Sequence, residues 1–190
     1  MVYRSLLLII MCMHLSACVS VVAVGAAGTA AASASDRRTV GTQIDDKTTR
    51  GRVASAIDRV RGIDENASIR VHVYNGQVLL TGQTNQQALL DAATAAAESV
   101  EHVDKVHNQI RLGQPLPASV TMNDVWISTK VRTLISSNEQ APILKMDLIV
   151  ENSEVFIMGR LTREEATAAV EVARNVKGVR KVIRVMELIN

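Results

Sequence analysis

Asn75-Gly76-Gln77-Val78-Leu79-Leu80-Thr81-Gly82 stands 77 residues ahead of Asn152-Ser153-Glu154-Val155-Phe156-Ile157-Met158-Gly159. Self-similarity at one long spacing is the mark of an internal repeat, and the match extends outward from these two stretches. Each follows an alternating segment, Ile69-Val71-Val73 or Leu148-Val150, and each precedes an Ala-rich segment in which Ala92 and Ala96 match Ala169 and Ala173. Val103 and Val106 lie 76 residues before Val179 and Val182. Upstream, Asp46, Arg52, Val53 and Ile57 correspond to Asp124, Lys130, Val131 and Ile135 at an offset of 78. Offsets that drift by only one or two residues argue for duplication.

Each unit reads helix, strand, strand, helix, strand. The two central strands meet at Tyr74-Asn75-Gly76 or Glu151-Asn152-Ser153, and Asn and Gly tolerate the positive φ that a tight hairpin turn demands. The second strand alternates, with Val78, Leu80 and Gly82 on one side and Gln77, Leu79 and Thr81 on the other. The second helix is expected to start near Thr84 or Thr162. Glu165 lies three residues beyond Thr162, the spacing of a capping box. These elements predict an α+β fold of two tandem αββαβ units, 46–112 and 122–190. Each would be a two-layer sandwich with two helices on one face of a three-stranded mixed sheet. The linker, 113–121, contains Pro115 and Pro117 and should be extended and stiff.

Residues 1–17 have the build of a secretory signal: Arg4, an apolar run from Leu6 to Leu15, then small residues. The run is shorter than the roughly 20 residues that span a bilayer and fits the 7–15 of a signal-peptide core. Leu15-Ser16-Ala17-Cys18 looks like a lipobox, with cleavage before Cys18 and diacylglycerol and an acyl chain attached to it. An ordinary signal with a chance cysteine, or a buried N-terminal helix, are the alternatives. Cys12 would leave with the signal, so Cys18 would be the lone cysteine of the mature chain, unable to form an internal disulfide. Two or more acyl chains give lasting attachment where one gives marginal binding. Residues 18–45 read as the lipidated N-terminus and a flexible tether with an end-to-end distance of roughly 30 Å. A packed Ala/Val segment is the other reading.

The chain carries 21 basic and 19 acidic residues, and removal of Arg4 leaves charge nearly balanced. No concentrated basic stripe points to nucleic acid. Only four aromatics occur (Tyr3, Tyr74, Trp126, Phe156), so the core must be aliphatic. Nucleophile-elbow, P-loop, dinucleotide-fingerprint and zinc-protease motifs do not occur. His72, His102 and His107 have no cysteine beside them for a soft metal site and read as structural. Asp64-Glu65 and Glu164-Glu165 are sequence neighbours, which do not face one another on a helix. The sequence therefore predicts a non-enzyme with no catalytic residues, metal or cofactor.

Trp126 is the most informative side chain. On a helical wheel of about 100° per residue, Ile127, Val131, Leu134 and Ile135 form the expected core arc. Trp126 falls roughly 125° from its centre, and Val125 as far on the other side. Trp126 should thus lie outside the core, near Thr129, Lys130, Thr133 and Ser137, whereas the first unit has Thr48 in its place. An exposed indole suits the headgroup region of a membrane, and a nearby cation attracts anionic lipid by about 1 kcal/mol. Packing of Trp126 between the two units is the competing reading, and Arg132 could serve either.

The Gly76–Gly82 strand, its copy at Ser153–Gly159 and the terminal strand after Val-x-x-Val resemble the BON domain, a small αββαβ module of bacterial envelope proteins. The second copy departs in having Ser153 for the first glycine. Signal, tether and paired units together resemble dual BON-domain outer-membrane lipoproteins. Residues 36–43 (Asp36-Arg37-Arg38-Thr39-Val40-Gly41-Thr42-Gln43) and 123–132 (Asn123-Asp124-Val125-Trp126-Ile127-Ser128-Thr129-Lys130-Val131-Arg132) strengthen the likeness. The resemblance implies binding to anionic phospholipid, support of outer-membrane integrity and localisation to membrane sites such as the division site. Val19, where an Asp resembles an inner-membrane retention signal, implies the outer membrane, with the chain facing the periplasm. The alternative is a periplasmic adaptor for outer-membrane assembly proteins, using exposed sheet faces.

Overall fold

Helix α1 (Val40–Asp58) opens the first repeat and α4 (Ala118–Ser136) the second, both ends offset by the 78 residues read from sequence. Their buried positions repeat as well: Asp46, Thr49, Val53 and Ile57 in one, Asp124, Ile127, Val131 and Ile135 in the other. That spacing of three or four residues is one face of a helix. The computed structural model describes residues 36–190. The signal segment, Cys18 and the tether up to residue 35 lie outside the described residues. Residues 40–45, read as tether, belong to α1, whose N-cap Thr39 accepts a hydrogen bond from the Thr42 N–H at 3.1 Å.

After a short helix, α2 (Ile63–Asn66), the first unit continues with β1 (Ala67–Tyr74), β2 (Gln77–Thr84), α3 (Gln87–Glu98) and β3 (Lys105–Leu112). The second has a 3₁₀ turn (Ile143–Lys145) in place of α2, then β4 (Met146–Glu151), β5 (Glu154–Thr162), α5 (Arg163–Arg174) and β6 (Lys181–Ile189). Each sheet has the central strand antiparallel to its hairpin partner and parallel to the last strand. The capping box predicted at Thr162 and Glu165 forms, whereas Thr84 stays in β2 and α3 begins at Gln87 without a side-chain cap. The buried alanines are Ala93 and Ala97 against Ala169 and Ala173. The helix thus repeats at 76 residues, one fewer than the pairing with Ala92 and Ala96.

One aspartate per unit locks helix to hairpin. Asp46 accepts the backbone N–H groups of Asn75 (2.8 Å) and Gly76 (3.1 Å). Asp124 accepts those of Asn152 and Ser153, both at 2.7 Å. All four turn residues have positive φ, between 49° and 71°, so successive N–H groups converge on one anion. A Cβ on Gly76 would fall 2.2 Å from the Asp104 carboxylate, which demands glycine. At the matching position of the second unit stands Arg180, whose side chain reaches the Asn152 carbonyl, and there Ser153 fits. The glycine that closes each strand motif has a different cause. A Cβ on Gly82 would lie 1.8 Å from the Ser68 carbonyl oxygen of β1.

Alternation in the central strands is resolved by burial on both faces. Val78 and Leu80 pack under α1 and α3, and Val155 and Ile157 under α4 and α5. Leu79, Phe156 and Met158 point the other way and meet in a third cluster with Tyr74 and Val185. The sheet faces expected to be open therefore cover each other, within one compact body from Arg37 to Asn190. Ion pairs Arg70–Glu151 and Arg111–Glu154 and a Tyr74 hydroxyl bond to the Lys145 carbonyl (3.1 Å) surround this joint.

Each aspartate bond is charge-assisted, and a hydrogen bond to a charged group contributes about 1.5–3 kcal/mol. Asp124→Ala is expected to lower stability by roughly 3 kcal/mol or more, and Asp124→Asn, which keeps one acceptor, by about half. Midpoints of urea unfolding check both. A shift in Asp124→Ala smaller than that of an exposed control such as Glu139→Ala would remove the aspartate from this role.

Candidate functional site

The buried face of α4 is narrower than the wheel predicted. Ile127, Val131 and Ile135 are fully buried, but Leu134 is 50% exposed. It leaves the expected core arc and is one of the exposed apolar residues of α4 with Met122 (73%), Val125 (63%) and Trp126 (47%), Val125 facing about 180° away from it around the helix. Asp124 explains the orientation. It must point inward to hold the hairpin, and two residues further on a helix turns the side chain by about 200°. Trp126 is thereby directed away from its own core, and the joint between units is built without it.

Lys130, one turn along, sits with its ammonium 3.7 Å from the Trp126 ring centroid, a cation–π contact. Thr129, Thr133 and Ser137 are exposed on the same side. Their hydroxyls donate to the carbonyls of Val125 (2.9 Å), Thr129 (2.9 Å) and Thr133 (3.0 Å). With the donors spent inside the helix, the threonines present methyl groups outward. Arg132 is committed elsewhere, to the Leu148 carbonyl at 2.5 Å.

A second element, missed in the sequence, completes the surface. Thr129, Lys130, Thr133 and Leu134 line an open groove of about 380 Å³ together with Asn175, Val176 and Lys177 from the turn between α5 and β6. The Trp126 ring reaches the same turn, where a Cβ added to Gly178 would lie 3.8 Å from Cζ3. Lysines are the charged residues of this groove. Leu134 could have been found from sequence, since it lies eight residues after Trp126 and four after Lys130. The turn could not, because it is distant along the chain.

Catalytic geometry is not what the other polar residues make. Among the described residues no three His, Cys, Asp or Glu side chains gather as a metal site. His107 bonds Gln77 at 2.9 Å. His72 is half-buried, with its Nε2 enclosed and unpartnered. Burial, then Arg50 and Arg70, lowers its pKa from 6.5 to about 4. Glu165 is a structural hub. Burial pushes its carboxyl up, but Arg37, the Thr162 N–H and Lys145 outweigh this and hold it at about 2. A concavity of about 790 Å³ lies between α5 and the 138–145 segment and has mixed charge, including Arg163, Glu164 and Lys145.

The BON domain family matches residues 45–114 and 123–190. The chain belongs to the BON-domain family. It is 35% identical over 176 residues to the outer membrane lipoprotein DolP of Haemophilus influenzae, covering 93% of this chain and 91% of that one. It is 38% identical over 154 residues to the 21 kDa hemolysin of Actinobacillus pleuropneumoniae, covering 81% and 79%. Among solved structures, the C-terminal domain of CdsD, a type III secretion protein of Chlamydia trachomatis, overlaps 72% of this chain and 96% of its own. Its TM-score is 0.28 and its identity 11%, too low to carry an argument. The paired BON units are thus a feature of sequence, family and fold alike.

Three groups are shifted: burial, then Lys105, lowers the His107 pKa in the same direction as that of His72, and Glu165 titrates below them. His72 binds its proton more weakly folded than unfolded, so stability is complete above pH 6.5 and is lost as pH falls towards about 4. Glu165 binds its proton more weakly folded, so its contribution is lost lower, from about 4.5 down towards 2. Urea midpoints should fall in both windows. His72→Gln should shrink the upper one to the part that His107 contributes and leave the lower; an unchanged upper window would remove His72 as a source of it.

Proposed function

We propose that this chain is a non-catalytic outer-membrane lipoprotein that binds anionic phospholipid through the first helix of its second BON unit. In this reading the signal is cut before Cys18, which carries diacylglycerol and an acyl chain, and the folded body faces the periplasm. The second contact serves outer-membrane integrity by selecting sites within the membrane, such as the division site. The observation that carries the reading is the exposed Trp126 with Lys130 on its ring, beside the half-exposed Leu134 of the same groove. Tryptophan favours the headgroup region, where an apolar ring meets water, and cations are drawn to an anionic leaflet.

Family membership supports the same reading, since a relative over 93% of the chain is an outer membrane lipoprotein. No described helix is long and apolar enough to cross a membrane, so the α4 contact is proposed as a shallow, interfacial one. The adaptor reading loses the support it drew from open sheet faces, because those faces pack against each other.

Flotation with vesicles tests the reading. The chain from residue 18 onward, with Cys18→Ser to remove lipidation, should float with phosphatidylglycerol-containing vesicles and not with pure phosphatidylcholine. Trp126→Glu should abolish this, and undiminished flotation of that variant would sink the reading. Palmitate labelling of the cellular protein, lost in Cys18→Ser, checks the anchor separately.

A further inference from the structure

The two BON units carry the same groove, differently furnished. In the first unit it is lined by Thr48, Gly51, Arg52, Ser55, Arg59, Val100 and Glu101. The helix positions match those of α4 at the offset of 78, so Thr48 stands for Trp126 and Arg52 for Lys130. The turn after the second helix matches as closely, at 76. Val100 and Val176 donate to Ala97 and Ala173, and Val103 and Val179 close back on Val100 and Val176. His102 and Gly178 both have positive φ. By that register Glu101 stands where the second unit has Lys177. Glu101 lies 3.9 Å from Arg52, so an acid faces one of the groove's two arginines in the first unit. In the second, Lys177 takes that place beside Lys130 and the groove holds no acid.

Building on the lipid-binding reading, we infer that Lys177 is its second charge determinant. The α5–β6 turn and α4 form one composite membrane-docking surface. The same two positions, Trp126 against Thr48 and Lys177 against Glu101, decide which unit binds. The occupant is the surface of an anionic bilayer. Two ammonium groups on separate elements flank an apolar floor of Val176 and Leu134 beside an exposed indole, which matches phosphates over acyl chain. The first groove, built on the same elements, has no ring, and its carboxylate cancels one of its two arginines, so it offers that surface no indole and a weaker attraction.

Vesicle binding of the chain from residue 18 with Cys18→Ser tests this, using vesicles of phosphatidylglycerol and phosphatidylcholine at low salt. Lys177→Glu removes one attraction and adds one repulsion, and is expected to weaken binding about tenfold or more. Lys177→Gln should weaken it by roughly fivefold. Both positions are exposed, so thermal unfolding should not move. Wild-type binding by Lys177→Glu, while Trp126→Glu fails to bind, overturns the inference and leaves the α4 reading standing. Wild-type binding by both overturns both. Installing Thr48→Trp with Glu101→Lys in the Trp126→Glu background should restore binding, and no recovery overturns the claim that these two positions decide. Release by inorganic phosphate beyond that of sodium chloride at equal ionic strength would make the groove a phosphate seat, and also overturns it.

Discussion

A buried carboxylate gripping two backbone N–H groups is the contact on which both units depend. Asp46 and Asp124 sit on the inner faces of α1 and α4, and each holds a turn whose residues have positive φ. A turn of that shape leaves its N–H groups pointing to one place, and buried donors must be paired. The aspartate pairs them and in doing so fixes the rotation and depth of its helix on the sheet. In the second unit that rotation directs Trp126 outward. A structural requirement at Asp124 thus sets the geometry of the surface two residues later.

The joint between the units is of a different kind. Its apolar part is small: Tyr74, Leu79, Phe156, Met158 and Val185, edged by Ile149 and Ile183. Among the described residues, buried side-chain atoms of His72, Thr81 and Gln83, all on strands of the first sheet, are left without a hydrogen bond, whereas Arg160 Nε is held by an ion pair with Glu187 at 3.2 Å. Such groups cost stability. Polar bonds at the margins offset this, and the segment before α1 supplies some of them. Arg37 reaches into the second unit to Glu165 and the Arg160 carbonyl, at 2.5 and 2.8 Å. Arg38 stays with the first, on Asp46 and over the Tyr74 ring. The residues that lead out of the tether therefore strap the two units together.

Much of this was legible in the sequence, for identifiable reasons. The duplication, the αββαβ order, the hairpin turns and the Thr162 capping box rest on local chemistry or on spacing, and a single chain displays both. The outward Trp126 followed from helical period alone. Leu134 was misassigned because a wheel assumes a wide core stripe, whereas a helix held by Asp124 buries only the 124, 127, 131 and 135 positions. Leu79, Phe156 and Met158 were read only as the second side of a strand, since pairing of two sheets leaves no periodic trace. Lys177 was invisible because its neighbours in space lie far off in sequence. Arg37 was taken for tether because nothing local marks an arginine that bonds to Glu165.

The duplication also explains why only one unit need carry the surface. Two copies of one groove, joined back to back through their sheets, leave both outer helices available, α1 and α4. If both were adhesive, one body could hold two bilayer patches. The first copy instead has Thr48, with its hydroxyl turned to the Ile44 carbonyl, and Glu101 beside Arg52. In the proposed reading a second contact adds nothing to mere attachment, because acyl chains on Cys18 would already hold the chain. What a single weak, charge-dependent face can add is a preference among regions of the membrane. Each charge near an anionic surface contributes about 1 kcal/mol, enough to bias where a tethered body settles and too little to fix it there. On the proposed reading, keeping the contact on one unit preserves that reversibility, while Arg37 ties the segment before α1 to the unit that carries the face.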